Sequence, residues 1–191
     1  MKHKVILLSF LLSAILVINP LYAKGMHFGA NGILSLPLGD FGDVANKGLG
    51  GMFFGTYQFN KSMAAYLEAG YTIWSGKDIA GESSDFSGIP IQAGIKYIFS
   101  KFYVMGIIGI WNMKVSWTSE VKIPSGIDPY TGEIKYTIKK ESGSGSDTKF
   151  SFAPVIGYEI PVGGINLNIS GRYQYISDKF SNIILNIGVI F

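Results

Sequence analysis

The sequence contains no cysteine, few charges (15% of 191 residues) and, after residue 23, no apolar run long enough for a membrane-spanning helix. Without cysteine, an exported chain cannot be a disulfide-stapled scaffold or carry a lipid anchor on an N-terminal cysteine. The longest late apolar run, VMGIIGIW, is strand-sized, whereas a spanning helix takes about 20 such residues. Histidine is scarce too, and His27 stands alone beyond residue 23. One histidine and no cysteine argue against a zinc site. Stability therefore has to come from the fold itself or from a membrane.

The first residues read as a targeting segment. MKHK is basic, VILLSFLLSAILVI is a short apolar run, and NPLYA ends on a small residue. That is the order of a secretory signal peptide. The run carries Ser9 and Ser13 and is too short to span, which argues against a permanent anchor. Residues 1–23 are thus expected to be cleaved after Ala23, leaving residues 24–191 as one domain. Loss of Lys2 and Lys4 takes the 16 Lys+Arg to 14 against 13 Asp+Glu, a net charge of +1. Such balance, with scattered lysines, leaves no footprint for nucleic acid.

What the chain does have is glycine together with aromatics: 25 Gly, 11 Tyr and 13 Phe. That mixture disfavours long helices and suits curved sheets. Apolar residues recur with a period of two. In AAYLEAGYTIW, Ala65, Leu67, Ala69, Tyr71 and Ile73 share one face, with Glu68, Gly70 and Thr72 opposite. In INLNISGRYQY, Ile165, Leu167, Ile169, Tyr173 and Tyr175 oppose Asn166, Asn168, Ser170, Arg172 and Gln174. FYVMGIIGIWNM departs from the pattern and is apolar on both sides. Eight such segments can be read, the last being SNIILNIGVIF.

The connections alternate in length. NKSM, SK and PVGG are tight hairpin turns. PLGDFGDVANKGLG, SGKDIAGESSDFSG and the stretch from Lys114 to Thr148 are long, and SDKFS is short. Within the longest, KVSWTSEVKI and IKYTIKKE flank the turn-forming PSGIDPYTG, which predicts a hairpin, and SGSGSD reads as a flexible break before the sixth strand.

These features predict an all-β fold, an eight-stranded antiparallel up-and-down transmembrane β-barrel with short turns at one end and long loops at the other. A secreted soluble ligand-binding barrel would turn the apolar face inward. Aromatics near strand ends (Phe28, Phe59, Phe99, Tyr158, Phe191) suit interfacial girdles, and the opposite faces lack the dense Lys and Glu of a soluble surface. Closure also removes the unpaired edges that lipid cannot tolerate. The apolar face is therefore expected to meet lipid.

The polar faces then carry charges inward. Glu68 and Lys96, on neighbouring strands near the short-turn end, are placed to form a buried pair, with Glu159 and Arg172 as further interior charges. Unpaired interior charges would cost several kcal/mol each, so a structural role is expected for all four.

LPLGDFGDVANKGLGGMFFGTYQF, IPIQAGIKYIF, ISGRYQYIS and the ending IILNIGVIF resemble the small outer-membrane β-barrel proteins of Gram-negative bacteria, the OmpA/OmpX-like family. The resemblance covers essentially all of residues 24–191. It implies location in the outer membrane among lipids and lipopolysaccharide. It also implies that Leu185, Ile187, Val189 and Phe191 form the signal read by the outer-membrane assembly machinery.

Some small outer-membrane barrels modify lipids, chemistry that needs an activated serine with a histidine base. His27 opens the first strand at the short-turn end, whereas outer-leaflet chemistry belongs at the other, so no enzyme is expected. Asp40 and Asp43 in GDFGD, and Asp128 and Glu133 in DPYTGE, lack the spacing of a calcium loop and read as turn residues. No cofactor is implied. The long hairpin offers an interaction surface: Trp117, Tyr130 and Tyr136 beside Lys122, Lys135, Lys139 and Lys140. The expected role is structural or surface-interacting, as a monomer with a side-chain-filled interior, and the alternative is a narrow channel or transporter for small solutes.

Overall fold

The computed structural model describes residues 25–77, 82–127 and 134–191. Eight antiparallel strands close into a barrel in sequence order: β1 (Met26–Leu38), β2 (Ala45–Asn60), β3 (Met63–Gly76), β4 (Glu82–Phe99), β5 (Phe102–Ile127), β6 (Ile134–Val162), β7 (Ile165–Ile176) and β8 (Phe180–Ile190). One short helix, α1 (Gly39–Val44), lies between β1 and β2. The seam is β1 against β8, with Gly32 opposite Ile187 and Leu34 opposite Leu185. Phe191 adds a last bond, its N–H donating to the Phe28 carbonyl at 2.8 Å.

The register fixes the barrel's shape. The partners Ile190, Gly29, Phe54, Glu68, Gln92, Gly109, Ser151 and Ile176 lead round the wall and return to β8 at Phe180, ten residues above the start. With ordinary strand spacings, that climb over eight strands tilts them by about 40° from the axis. An eight-stranded interior of this kind is filled by side chains.

The alternation resolves as expected. Leu49, Phe53, Leu67, Ile91, Ile108, Ile156, Ile169, Leu185 and Ile187 point outward and are exposed, as a lipid-facing band requires. Aromatic rings pair off at the short-turn end: Tyr57 with Phe59, Tyr97 with Phe99 and Phe102 with Tyr158. β5, apolar on both faces, sends Tyr103, Met105, Ile107, Trp111 and Met113 inward. Its inner side chains join two apolar layers, one at each end of the lumen.

Three sequence readings change. PLGDFGDVANKGLG is not a simple loop: β1 continues to Leu38, α1 follows, and β2 begins at Ala45. β3 and β4 likewise run into SGKDIAGESSDFSG, to Gly76 and from Glu82. SGSGSD is no break, because Ser142 to Asp147 continue the β6 ladder against Thr118 to Met113. Backbone pairing needs no side chain, and Gly143 leaves the space that the Trp117 indole occupies.

Candidate functional site

The lumen is layered. At the outer end Phe41 of α1 packs with Trp74, Phe86, Trp111, Met113, Ile176 and Ile184. Gly48 makes this possible, since a Cβ there would run into the Trp74 indole and the Ile73 carbonyl. At the inner end Phe54, Tyr66, Tyr103, Met105 and Val155 form the second layer. Polar side chains bridge the two. The Trp74 Nε1–H donates to Ser35 Oγ (3.0 Å), and Ser35 to Asn182 Oδ1 (3.2 Å). Gln92 donates to Ser151 Oγ (2.8 Å), and Asn186 to Ser170 Oγ (3.1 Å). Lower down, Tyr103 donates to Asn168 Oδ1 (2.8 Å) and Asn168 to Asn31 (3.1 Å).

All four predicted interior charges face inward, but the pairing differs from the expected one. Glu68 pairs with Arg172 on the far wall (2.5 Å) and accepts from Tyr66 OH (2.7 Å). Lys96 pairs with Glu159 and sits 4.0 Å over the Tyr103 ring. The register explains the change. Glu68 lies opposite Gln92, and Lys96 is four residues further along β4, roughly 13 Å away. The narrow lumen instead brings β3 to β7 across its width, and Lys96 of β4 reaches past β5 to Glu159 of β6. Both pairs satisfy their charges, as burial demands.

The remaining site residues scatter. His27 is exposed at the short-turn end of β1, opposite Thr56. Asp40 does not bind its own turn alone; it pairs with Lys179 of the β7–β8 turn at 2.8 Å. Asp43 lies exposed on α1. Asp128, Tyr130 and Glu133 fall outside the described residues. Beyond Ser119, where β4 pairing ends, β5 and β6 project as a two-stranded ribbon. Among the described residues β6 gains a β7 partner only from Ser151, with the Ser177 N–H donating to the Phe150 carbonyl just before it, so Ile134 to Lys149 have no ladder partner on that edge. On the ribbon Ile123, Tyr136 and Ile138 are exposed, Trp117 is exposed just before it, where β5 still pairs with β4, and Lys139 pairs with Glu141 at 3.3 Å. Lys140 is exposed as well, and Lys122 and Lys135 occupy the ribbon backbone opposite Ile138 and Gly126.

Sequence reasoning missed Phe41, Trp74 and Trp111. The available signal was the aromatic in the middle of GDFGD, an odd residue for a solvated loop.

Solved structures share this fold. Ail, the attachment invasion locus protein of Yersinia pestis, superposes with a TM-score of 0.60 at 18% identity, covering 88% of this chain and 99% of Ail. Ail in complex with the heparin analogue sucrose octasulfate gives 0.53 at 16% identity, over 87% and 97% of the two chains. Neisserial surface protein A gives 0.50 at 12% identity, over 87% and 96%. No curated protein matches the sequence. The family described as outer membrane protein beta-barrel domain matches residues 8–191. With its closed eight-strand wall and outward apolar band, the chain belongs to that family and is a protein of the outer membrane.

Proposed function

We propose that the chain is a non-enzymatic outer-membrane barrel with a structural or surface-interaction role, acting through its β5–β6 ribbon and not as a conduit through its lumen. One observation carries the reading: a water-facing ribbon presents Ile123, Tyr136 and Ile138 where a merely solvated hairpin would present polar side chains. The filled interior, with its charges paired, supports it from the other side. Leu185, Ile187, Val189 and Phe191 serve in this reading as the assembly signal of a monomeric barrel that sits among outer-membrane lipids and lipopolysaccharide.

Excising residues 121–139 and closing the ribbon with a tight turn tests the role. Cells displaying either form would be compared for attachment to one another and to protein-coated surfaces, after unboiled gel mobility shows both barrels folded. Attachment is expected to fall with the ribbon gone, and undiminished attachment would remove the ribbon from the role. Steady conductance steps from the intact protein in planar bilayers would move the function into the lumen.

A further inference from the structure

Phe41 closes the outer mouth from above, carried by α1 and not by the barrel wall. It is 2% exposed, with its ring edge-on to Trp74 (5.5 Å) and Phe86 (5.4 Å) and tilted against Phe180 (4.9 Å). Trp74 lies 5.9 Å from Trp111. These four rings belong to β3, β4, β8 and β5, so the socket is part of the wall and does not depend on α1.

The floor of the socket is polar. Thr72, Gln174 and Asn182 stand one inward position deeper than Trp74, Ile176 and Phe180 on their strands, Gln174 directly opposite Asn182, and Trp111 belongs to the same apolar layer as Trp74. All four residues are fully buried. Yet Thr72 Oγ1, Trp111 Nε1, Gln174 Oε1 and Asn182 Nδ2 make no hydrogen bond among the described residues. Buried polar atoms are normally paired, and leaving them unpaired is costly. Phe41 fills the ring space above them and carries nothing that could reach them.

The hold on α1 is uneven. Its C-terminal side is tied by the Lys77 N–H to the Val44 carbonyl (2.9 Å) and by Lys77 Nζ to the Gly42 carbonyl (2.6 Å). Its N-terminal side depends on the solvent-exposed Asp40–Lys179 pair, a kind that stabilises little. Gly39, at φ 57°, gives a pivot that other residues resist.

We propose that this socket is a binding site, opened from outside by displacement of α1, for a small phenol: one aromatic ring bearing a hydroxyl. Phe41 is its built-in competitor. A phenol replaces the Phe41 ring, and its hydroxyl donates to Gln174 Oε1 while accepting from Asn182 Nδ2 or Trp111 Nε1. A site with unpaired polar groups should reject the analogue that lacks the hydroxyl, which makes toluene the matched control.

The test uses the barrel in lipid nanodiscs with Trp117→Phe, so that emission reports Trp74 and Trp111. Phenol is expected to change that emission saturably. Phe41→Ala should tighten phenol at least tenfold and bind toluene at least tenfold more weakly than phenol. Gln174→Leu added to Phe41→Ala should erase that preference, which partition into lipid would not do. Equal binding of phenol and toluene to Phe41→Ala would mean a filled artificial cavity only, and would overturn the proposal. So would the lack of a saturable response, or phenol affinity unmoved by Phe41→Ala. Should Phe41→Ala not fold, Lys179→Ala leaves the core intact and must tighten phenol severalfold; unchanged affinity there overturns the proposal equally.

Discussion

At the scale of single residues, the lumen separates what sequence can state from what it cannot. That Glu68, Lys96, Glu159 and Arg172 point inward follows from alternation, because each lies opposite an apolar neighbour on its strand. Which acid meets which base does not follow. Partner choice depends on how far the wall climbs per circuit, and ten residues of climb bring Arg172 of β7 to Glu68 of β3 across the lumen. Arg172 and Glu68 are almost wholly buried, so the pair has a directional consequence. Arg172→Ala strands a buried carboxylate and is expected to cost about 3–5 kcal/mol, while Glu68→Gln with Arg172→Met, which removes both charges, costs much less. Equilibrium urea unfolding in lipid vesicles measures both. Equal losses from the single and double variants would show that the charge left behind is not what matters.

At the scale of elements, α1 is the feature that pattern reading could not supply. GDFGD has the composition of a turn, and six residues are too few for helical periodicity to register. The aromatic among them becomes intelligible only once the barrel has a mouth to close. The latch on α1 is electrostatic and therefore pH-dependent. Lys179 holds the Asp40 carboxyl below its ordinary 3.8, and Asp40 in turn raises Lys179 above its ordinary 10.5. A depressed carboxyl contributes above its unfolded value and loses that contribution as pH falls through the folded one. A raised lysine contributes below its unfolded value and loses it as pH rises through the folded one. The latch should therefore hold unchanged between about pH 5 and pH 9 and slacken only outside that window. NMR shifts of the α1 amides should differ between the intact protein and Lys179→Ala near neutral pH. They should converge as pH falls through the depressed Asp40 value, below its ordinary 3.8, and the carboxyl takes up its proton. A difference that persists in acid would mean that Lys179 positions α1 by some other contact.

At the scale of the whole molecule, the decisive question is which face of the sheet meets lipid. The period-two pattern defines two faces but gives neither a direction. Direction came from where the aromatics lie and from how few charges the polar faces carry, and the closed wall agrees on every strand. The interior is nevertheless less polar than alternation suggests, because β5 turns Met105, Ile107, Trp111 and Met113 inward. A strand apolar on both faces is legible only when its neighbours reveal that the lumen needs plugs at both ends. The lipid-facing assignment makes a depth-dependent prediction. Ile187 lies at mid-height, opposite Gly32 across the seam, and Phe59 lies near the β2–β3 turn. Ile187→Arg should destabilise the barrel by about 2–4 kcal/mol and Phe59→Arg by about 0–1, since the cost of a cation on the lipid face falls toward the interface. Urea unfolding from lipid vesicles reads both values on one scale. Similar, small costs at the two positions would mean that the outward face meets water, and the barrel would have to be turned inside out.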